Sequence, residues 1–335
     1  MAAASPEWRL ARVMDGYITT QLLYVAAKLG IPEVLAAGPR TGGQVAEAVG
    51  ADPAAVIRVL RGLAVEEVVD ELDGERFALS ELGRALPALQ GAIVARGELY
   101  YRAAAGLLDA VRDGGTTTAF ERVYGERFFD HLEQDPEHAA AFQASMAGRA
   151  EREARDVVAA YDFTGLHRLV DVGGGRGVLL SAILRAAPAP HGVLLDRPAA
   201  LPDARRRLEA DGLGGRAECV ARDFFEAVPA DADAYLLSRV IHDWDDADAV
   251  RILATCRAAM TEGTRLLLVD AILPERARAG PDAIRMDLHM RILLGARERT
   301  EAEFRRLLAD AGLELERVLP TASPAGLSVL EATRA

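Results

Sequence analysis

His242 stands in the segment LLSRVIHDWDDADAVRIL, just past the carboxyl end of a predicted strand. An unperturbed imidazole titrates at about pH 6.5, so it can take a proton at neutral pH. Two acids downstream also close elements. Asp270 ends the strand in LLLVDAILPE, and Glu298 lies in GARERT before a helix predicted over 300–311. If both reach His242, they hold its tautomer and stabilise the imidazolium, as orienting groups do for a general base. Each can instead be an ordinary salt-bridge residue. Asp243, Asp245 and Asp246 stand at the N-terminus of a helix predicted over 245–261, where negative charge is favourable. They do not make a calcium loop. Counted from Asp243, the sixth position is Asp248, not glycine, and the twelfth is Ala254, not glutamate. These acids do not require magnesium, and no metal is expected.

The second chemical feature is LVDVGGGRGVLL over 169–180. It follows a predicted strand and opens a helix, the place where an open α/β sheet binds a ligand. Glycines there permit a tight turn and a close approach of ligand to backbone. A dinucleotide fingerprint needs G-x-G-x-x-G. From Gly173 the pattern reads Gly173, Gly175 and then Val178 where the third small residue belongs. The glycines run Gly173, Gly174, Gly175 and Gly177 after Asp171, the usual shape in S-adenosylmethionine enzymes. A tight strand-to-helix turn with no ligand is the plainer alternative. Asp196 ends the next strand and can accept both ribose hydroxyls, or cap a helix before Pro198. Asp223 and Phe224 end the third strand. An acid and a ring side by side suit adenine's exocyclic amine and face, though Asp223 can also be a helix cap.

These residues need a frame, and the composition limits what it can be. The chain has 335 residues, enough for about two domains with a sizeable core. The formal charge of −12 disfavours a protein built to neutralise nucleic-acid phosphates. Two cysteines, Cys219 and Cys256, exclude a disulfide framework and a four-cysteine zinc site. No apolar run approaches a membrane span, and MAAASPEWRLARVMDG has no signal-like apolar core, so a cytoplasmic protein is expected.

The organisation changes near residue 165. Before it the pattern is helical. Tyr17, Ile18, Leu22, Val25, Ala26 and Leu29 recur at helical spacing and stop at Gly30, forming a stripe for a core or a subunit interface. Residues 41–84 read as two short helices, TGGQVAEAVG and an Asp52-capped PAAVIRVLRGLAVEE, then a hairpin turning at Asp73-Gly74. That order is a winged-helix pattern, but residues 40–84 carry a net charge of −4, which argues against DNA. Further on, Phe120, Tyr124, Phe128, Phe129 and Phe142 with Met146 make a ring-rich stretch for a core or a ligand wall. After 165, five short apolar runs alternate with helices over 178–187, 198–210, 245–261 and 300–311. Such alternation predicts a doubly wound α/β sheet, and the two strand-like runs of the tail predict an antiparallel hairpin on its edge.

In this order the segments YVAAKLGIPEVLAAGPRT, FERVYGERFFDHLEQDPE, FQASM, LVDVGGGRG, VLLDRP, RDFFEAVP, LLSRVIHDWDD and GARERTEAEFRRLLADAGLE cover nearly the whole chain. The sequence resembles the small-molecule O-methyltransferases that include plant caffeate-type enzymes and bacterial enzymes tailoring aromatic polyketides. The resemblance implies a Rossmann-like methyltransferase sheet and a mostly helical N-terminal domain with a degenerate winged helix. It implies a homodimer through the N-terminal helices. It implies S-adenosylmethionine, released as S-adenosylhomocysteine, bound around Gly173, Gly175, Asp196, Arg197, Asp223, Phe224, Ser238 and Arg239. His242 matches the family's general base and Glu298 one orienting carboxylate. Asp270 stands where plant members usually carry a longer Glu. Phe142, Met146 and Met290 are taken as substrate walls, and the family uses no metal.

The expected division is a helical dimerisation domain over 1–100, a helical linker and substrate wall over 101–160, and a cofactor domain over 161–335. The expected reaction methylates a hydroxyl of a planar aromatic molecule, with no nucleic acid or membrane as partner. Alternatives are nitrogen methylation, a non-methylating S-adenosylmethionine enzyme such as a hydroxylase or decarboxylase, and an effector-binding winged-helix regulator.

Overall fold

The computed structural model describes residues 5–114 and 117–335. The chain divides into two units, Met1–Gly148 and Arg149–Ala335.

The first unit is built on well-marked helix ends. Helix Gly16–Leu29 stops where Gly30 turns left-handed at φ 73°. Thr41 and Gln44 form a capping box for Gly42–Val49, and Gly50 ends that helix at φ 67°. Asp52 accepts the N–H of Ala55 and caps Pro53–Val65. These stops follow from local chemistry, because orphan amides need an acceptor and a left-handed turn favours glycine. A short strand β1 (Arg40–Thr41) then pairs with β3 (Arg76–Leu79), which also pairs with β2 (Val69–Leu72), so the expected hairpin becomes a three-stranded sheet. Ala26, Leu60, Leu63 and Phe77 are buried at its core.

The N-terminal helical stripe is divided. Ala26 is fully buried, but Tyr17 and Ile18 are exposed. So are Trp8, Leu10, Val13 and Met14 on the helix Pro6–Met14. Helix Gly16–Leu29 packs so closely on the π-turn Arg96–Tyr100 that Gly97 lies against the Tyr24 side chain. The Gln21 amide donates to the Gly97 carbonyl at 2.8 Å, satisfying an acceptor in that irregular turn. The ring-rich stretch is largely core. Phe120 stacks on Tyr124 at 4.2 Å, and Phe128 meets both Phe120 and Phe142 edge-on.

In the second unit the apolar runs form strands β4 (Arg168–Val172), β5 (His191–Asp196), β6 (Ala217–Ala221), β7 (Ala234–Ser238) and β8 (Arg265–Leu273). They are joined by β9 (Arg299–Thr300), β10 (Leu313–Pro320) and β11 (Leu327–Arg334). The spatial order is β10-β11-β8-β7-β4-β5-β6, with β9 beside β8. The first five strands are parallel, and the C-terminal hairpin adds antiparallel with β11 against β8. Alternate residues feed two cores. Val170, Val172, Tyr235 and Leu237 serve one face, and Leu169, Ala234 and Leu236 the other. A parallel sheet covered on both faces needs such continuous apolar runs. Between β4 and β7 the chain reverses its direction across the sheet, which leaves a crevice at the strands' carboxyl ends.

The expected helices appear as Val178–Ala186, Leu201–Ala210, Asp246–Ala259 and Glu301–Asp310. A further helix, Pro281–Leu293, was not expected. Its sequence PDAIRMDLHMRIL mixes charged and apolar residues without a clean stripe.

Ala at Gly97 would place its Cβ 2.4 Å from that of Tyr24. Gly97→Ala should therefore destabilise the first unit by about 1–3 kcal/mol despite its better helix propensity. Thermal melting followed by circular dichroism checks this, and an unchanged midpoint would show that the two helices separate freely there.

Candidate active site

The glycine loop leaves β4 with Gly173, Gly175 and Gly177 all at positive φ, between 56° and 72°. Gly174 has a different reason for its type. A Cβ there would stand 2.5 Å from Oδ2 of Asp171, which is buried beneath the loop. The Gly175 N–H donates to Asp196 Oδ2 at 2.8 Å, and the Arg197 N–H to Asp196 Oδ1 at 2.6 Å. Asp196 thus ties the end of β5 to the loop. It does not cap the following helix, which begins at Leu201 after Ala200. Asp223 is no helix cap either. It accepts the Phe225 N–H at 2.8 Å in a turn after β6. Phe224 stands beside the loop, where a Cβ on Gly173 would approach its ring to 3.6 Å.

β7 ends at Ser238, and Arg239 turns the chain at a left-handed φ of 56°. His242 follows in the short turn Ile241–Asp243 and is buried. Its Nδ1 faces Glu298 Oε1 at 3.3 Å and Asp270 Oδ1 at 3.8 Å. Glu298 is therefore within hydrogen-bond reach of the histidine, while Asp270 stands close without a hydrogen bond to it. Asp243 departs from its expected place at a helix N-terminus, because its Oδ1 lies 3.4 Å from His242 Nε2. Asp245 is the cap, accepting the Asp248 N–H, and Asp246 pairs with Arg297 and Arg299.

A family model for an O-methyltransferase domain matches residues 105–314, and a model for an O-methyltransferase dimerisation domain matches residues 11–88. The chain belongs to the O-methyltransferase family. It is 42% identical over 331 residues to the phenazine O-methyltransferase PhzM of Lysobacter antibioticus, covering 96% of this chain and 95% of the relative. It is 36% identical to the 8-amino-8-demethylriboflavin N,N-dimethyltransferase of Streptomyces davaonensis, over 89% of this chain and 88% of that one. The S-adenosylhomocysteine-bound structure of CalO1, a methyltransferase of calicheamicin biosynthesis, superposes with a TM-score of 0.89 at 34% identity, covering 99% of this chain and 100% of that one. As a member of the family this chain is an enzyme whose methyl donor is S-adenosylmethionine.

The second unit of this O-methyltransferase suits such a cofactor on its own chemistry. The loop is stripped of side chains at Gly173, Gly174 and Gly175. Asp171 Oδ1 is buried with no hydrogen-bond partner, an acceptor left open behind the loop. Burial and the neighbouring charge of Asp196 push the Asp171 carboxyl up to about 7. Arg239, also expected among the cofactor residues, has its guanidinium on two carboxylates. It grips Glu153 at 2.6 Å and reaches Glu298 Oε1 at 3.3 Å.

That grip sets the charges around His242. Burial alone raises Glu153 and Glu298, but cationic neighbours and hydrogen bonds outweigh it. Arg239 and Arg149 hold Glu153 down to about 2. His242, Arg239 and Arg149 hold Glu298 below its usual range. Asp270 has neither oxygen hydrogen-bonded, and burial pushes it up to about 7. Burial also opposes protonation of His242, yet Asp270, Glu298 and Asp243 raise its pKa above 6.5.

Two residues escaped the sequence reading. Glu153 sits far upstream on the helix Pro136–Ala160 and reads as one charge among many. Arg299 has a fully buried side chain that donates to the carbonyls of Ile241 and Trp244 and to Asp246, pinning the turn that carries His242. Its only signal was adjacency to Glu298. Phe142 and Met146 lie one turn apart in the first unit and are half-buried, and Met290 is buried in the second.

Because the fold favours the imidazolium, the stability His242 contributes is complete below about pH 6.5 and fades as pH rises through its raised pKa. Glu298→Gln removes the nearer charge, so the His242 titration midpoint measured by NMR should fall. A midpoint that stays put would remove Glu298 as the group that raises it. Gly174→Ala should weaken S-adenosylhomocysteine binding by about 5–150-fold in calorimetry, the equivalent of about 1–3 kcal/mol of overpacking. Unchanged affinity would show that Asp171 can yield.

Proposed function

We propose that this enzyme moves the methyl group of S-adenosylmethionine to a hydroxyl of a planar aromatic small molecule, a phenolic or polyketide-type metabolite, with His242 as general base. The observation that carries the reading is His242 itself. It is a buried imidazole at the carboxyl end of β7, on the crevice side of the sheet, with an ionised Glu298 on Nδ1.

S-adenosylmethionine supplies a sulfonium methyl and leaves as S-adenosylhomocysteine. Gly173 and Gly175 give it backbone to approach, Asp196 a carboxylate with unused lone pairs for ribose, and Asp223 and Phe224 an acceptor and a ring for adenine. Ser238 and Arg197 border the same strand ends. His242 takes the hydroxyl proton at Nε2 while Nδ1–H stays on Glu298. His242 itself, with Arg239 and Arg149, keeps Glu298 charged and therefore able to receive that hydrogen bond. Asp270 is the reserve carboxylate, poised near neutrality. Positioning can supply roughly 7–11 kcal/mol of the barrier and the base a further 10²–10⁴ in rate, approximately. Phe142, Met146 and Met290 are the proposed substrate contacts.

The same reading assigns residues 1–100 to dimerisation, 101–160 to the linker and substrate wall, and 161–335 to the cofactor. The exposed Trp8, Leu10, Val13 and Met14 and the dimerisation-domain match support a homodimer through the N-terminal helices. Residues 41–84 then serve as a degenerate winged helix whose negative charge suits no DNA. Among the described residues no helix is long and apolar enough to cross a membrane, and a cytoplasmic location is part of the proposal.

The test is a mass-spectrometric screen of phenolic polyketides, hydroxyquinones and amino-aromatics with S-adenosylmethionine. A product one methylene heavier is expected on oxygen, and His242→Ala should slow it by about 10²–10⁴ while cofactor affinity stays. Methylation on nitrogen alone, or a variant at full rate, would overturn the base assignment.

A further inference from the structure

A second histidine and carboxylate cluster lies in the first unit, separate from His242. The helix Phe128–Gln134 carries His131 in its last turn, and the next helix starts at Pro136 and carries His138. Asp135 joins them. Its Oδ1 accepts the N–H groups of Glu137 and His138 at 3.1 and 3.0 Å, an ordinary cap. Its Oδ2 is left over and faces His138 Nδ1 at 2.9 Å. The same Nδ1 lies 2.8 Å from His131 Nε2.

Counting hydrogens shows what this point lacks. His131 Nδ1 stands 2.8 Å from Glu126 Oε1, so its hydrogen goes to that carboxylate and Nε2 keeps a lone pair. His138 Nδ1 carries at most one hydrogen, yet it faces two acceptors, His131 Nε2 and Asp135 Oδ2. One of them goes without. A cation in place of that hydrogen would satisfy all three atoms, which already lie within 4.8 Å of one another. The outer ring of partners is also right. Ligating imidazoles usually give their other N–H to a carboxylate. Glu126 serves His131 at hydrogen-bond distance, and Glu98 Oε1 stands near His138 Nε2 at 3.7 Å, beyond a direct hydrogen bond. Both histidine side chains are largely buried, at 13% and 11% exposure, and Asp135 at 36% keeps the point open to solvent.

We propose that His131, Asp135 and His138 bind one first-row divalent transition metal of the zinc class. Two imidazoles and one carboxylate suit zinc, cobalt or nickel, whereas calcium and magnesium want oxygen ligands throughout. Ligands at 2.0–2.1 Å from a tetrahedral ion stand roughly 3.3–3.4 Å apart, so loading parts the two rings by about half an ångström. The ion takes no part in methyl transfer. It ties the end of one helix to the start of the next, and so braces the segment that carries Phe142.

The experiment uses the full chain, stripped with a chelator and titrated with Zn²⁺ in a calorimeter and with Co²⁺ by visible absorption. One equivalent should bind, with a cobalt band and a raised melting temperature. The variant His131→Ala/His138→Ala should lose the ion. Glu126→Gln should bind it about 10–100-fold more weakly. Asp135→Asn keeps a capping side chain, so it tests ligation without losing the helix end, and it should also bind more weakly. Glu298→Gln should bind as the parent does, which separates this cluster from the one around His242. No binding by the folded parent would overturn the proposal. So would undiminished binding by Glu126→Gln and Asp135→Asn, or loss of the ion in Glu298→Gln.

Discussion

One oxygen atom organises the end of the sheet. Glu298 Oε1 receives His242 Nδ1 and Arg239 at the same distance of 3.3 Å. A carboxylate buried that deeply is tolerable only when paired. Arg239 supplies the charge, and Glu153 in turn fixes Arg239 through a short ion pair. The left-handed backbone at Arg239 makes this possible, because it turns the chain sharply as β7 ends. Such a conformation in a non-glycine residue is costly and persists where its surroundings demand it. Here the demand is the placement of an arginine and a histidine three residues apart on one carboxylate.

The rest of the second unit delivers these groups to one place. β8 brings Asp270 and β7 leads to His242. The short β9 pairs with Ile272 and Leu273 of β8, which lays Glu298 beside Asp270. Arg299, next in sequence, closes the arrangement by binding the backbone of the His242 turn. On the other side of the switch point the glycine loop rests on Asp171, and Asp196 holds loop and strand end together. The two halves of the site differ in character. The loop side is backbone and carboxylates, suited to a cationic, hydroxyl-rich cofactor. The His242 side is a charged network whose pKa values are pushed apart, with Glu298 ionised and Asp270 near neutrality.

The first unit follows a different economy. Its aromatic residues largely pack on each other, with Phe120 and Phe128 almost wholly buried. Much of the apolar surface of its first two helices is left exposed. Its histidines cluster at a helix junction where the capping residue has an oxygen to spare.

The sequence by itself determined the alternating sheet, the helix stops at Gly30 and Gly50, the caps at Thr41 and Asp52, and the carboxyl-end positions of His242, Asp270 and the glycine loop. These are local matters of propensity, capping and period, so they are legible along the chain. It also carried the family, because many weak segments in one order are jointly specific. Tertiary structure alone decided which charges are buried. Arg239, Glu153 and Arg299 look like solvated surface residues in sequence and become interior, because partners 86 or 58 residues away arrive to neutralise or accept from them. Asp196 and Asp223 had helix caps as their alternative reading until the backbone showed turns instead. Asp243 read as a helix-terminal acid until the chain bent it toward His242. Charge pairing acts through space, and a sequence orders residues only along the chain.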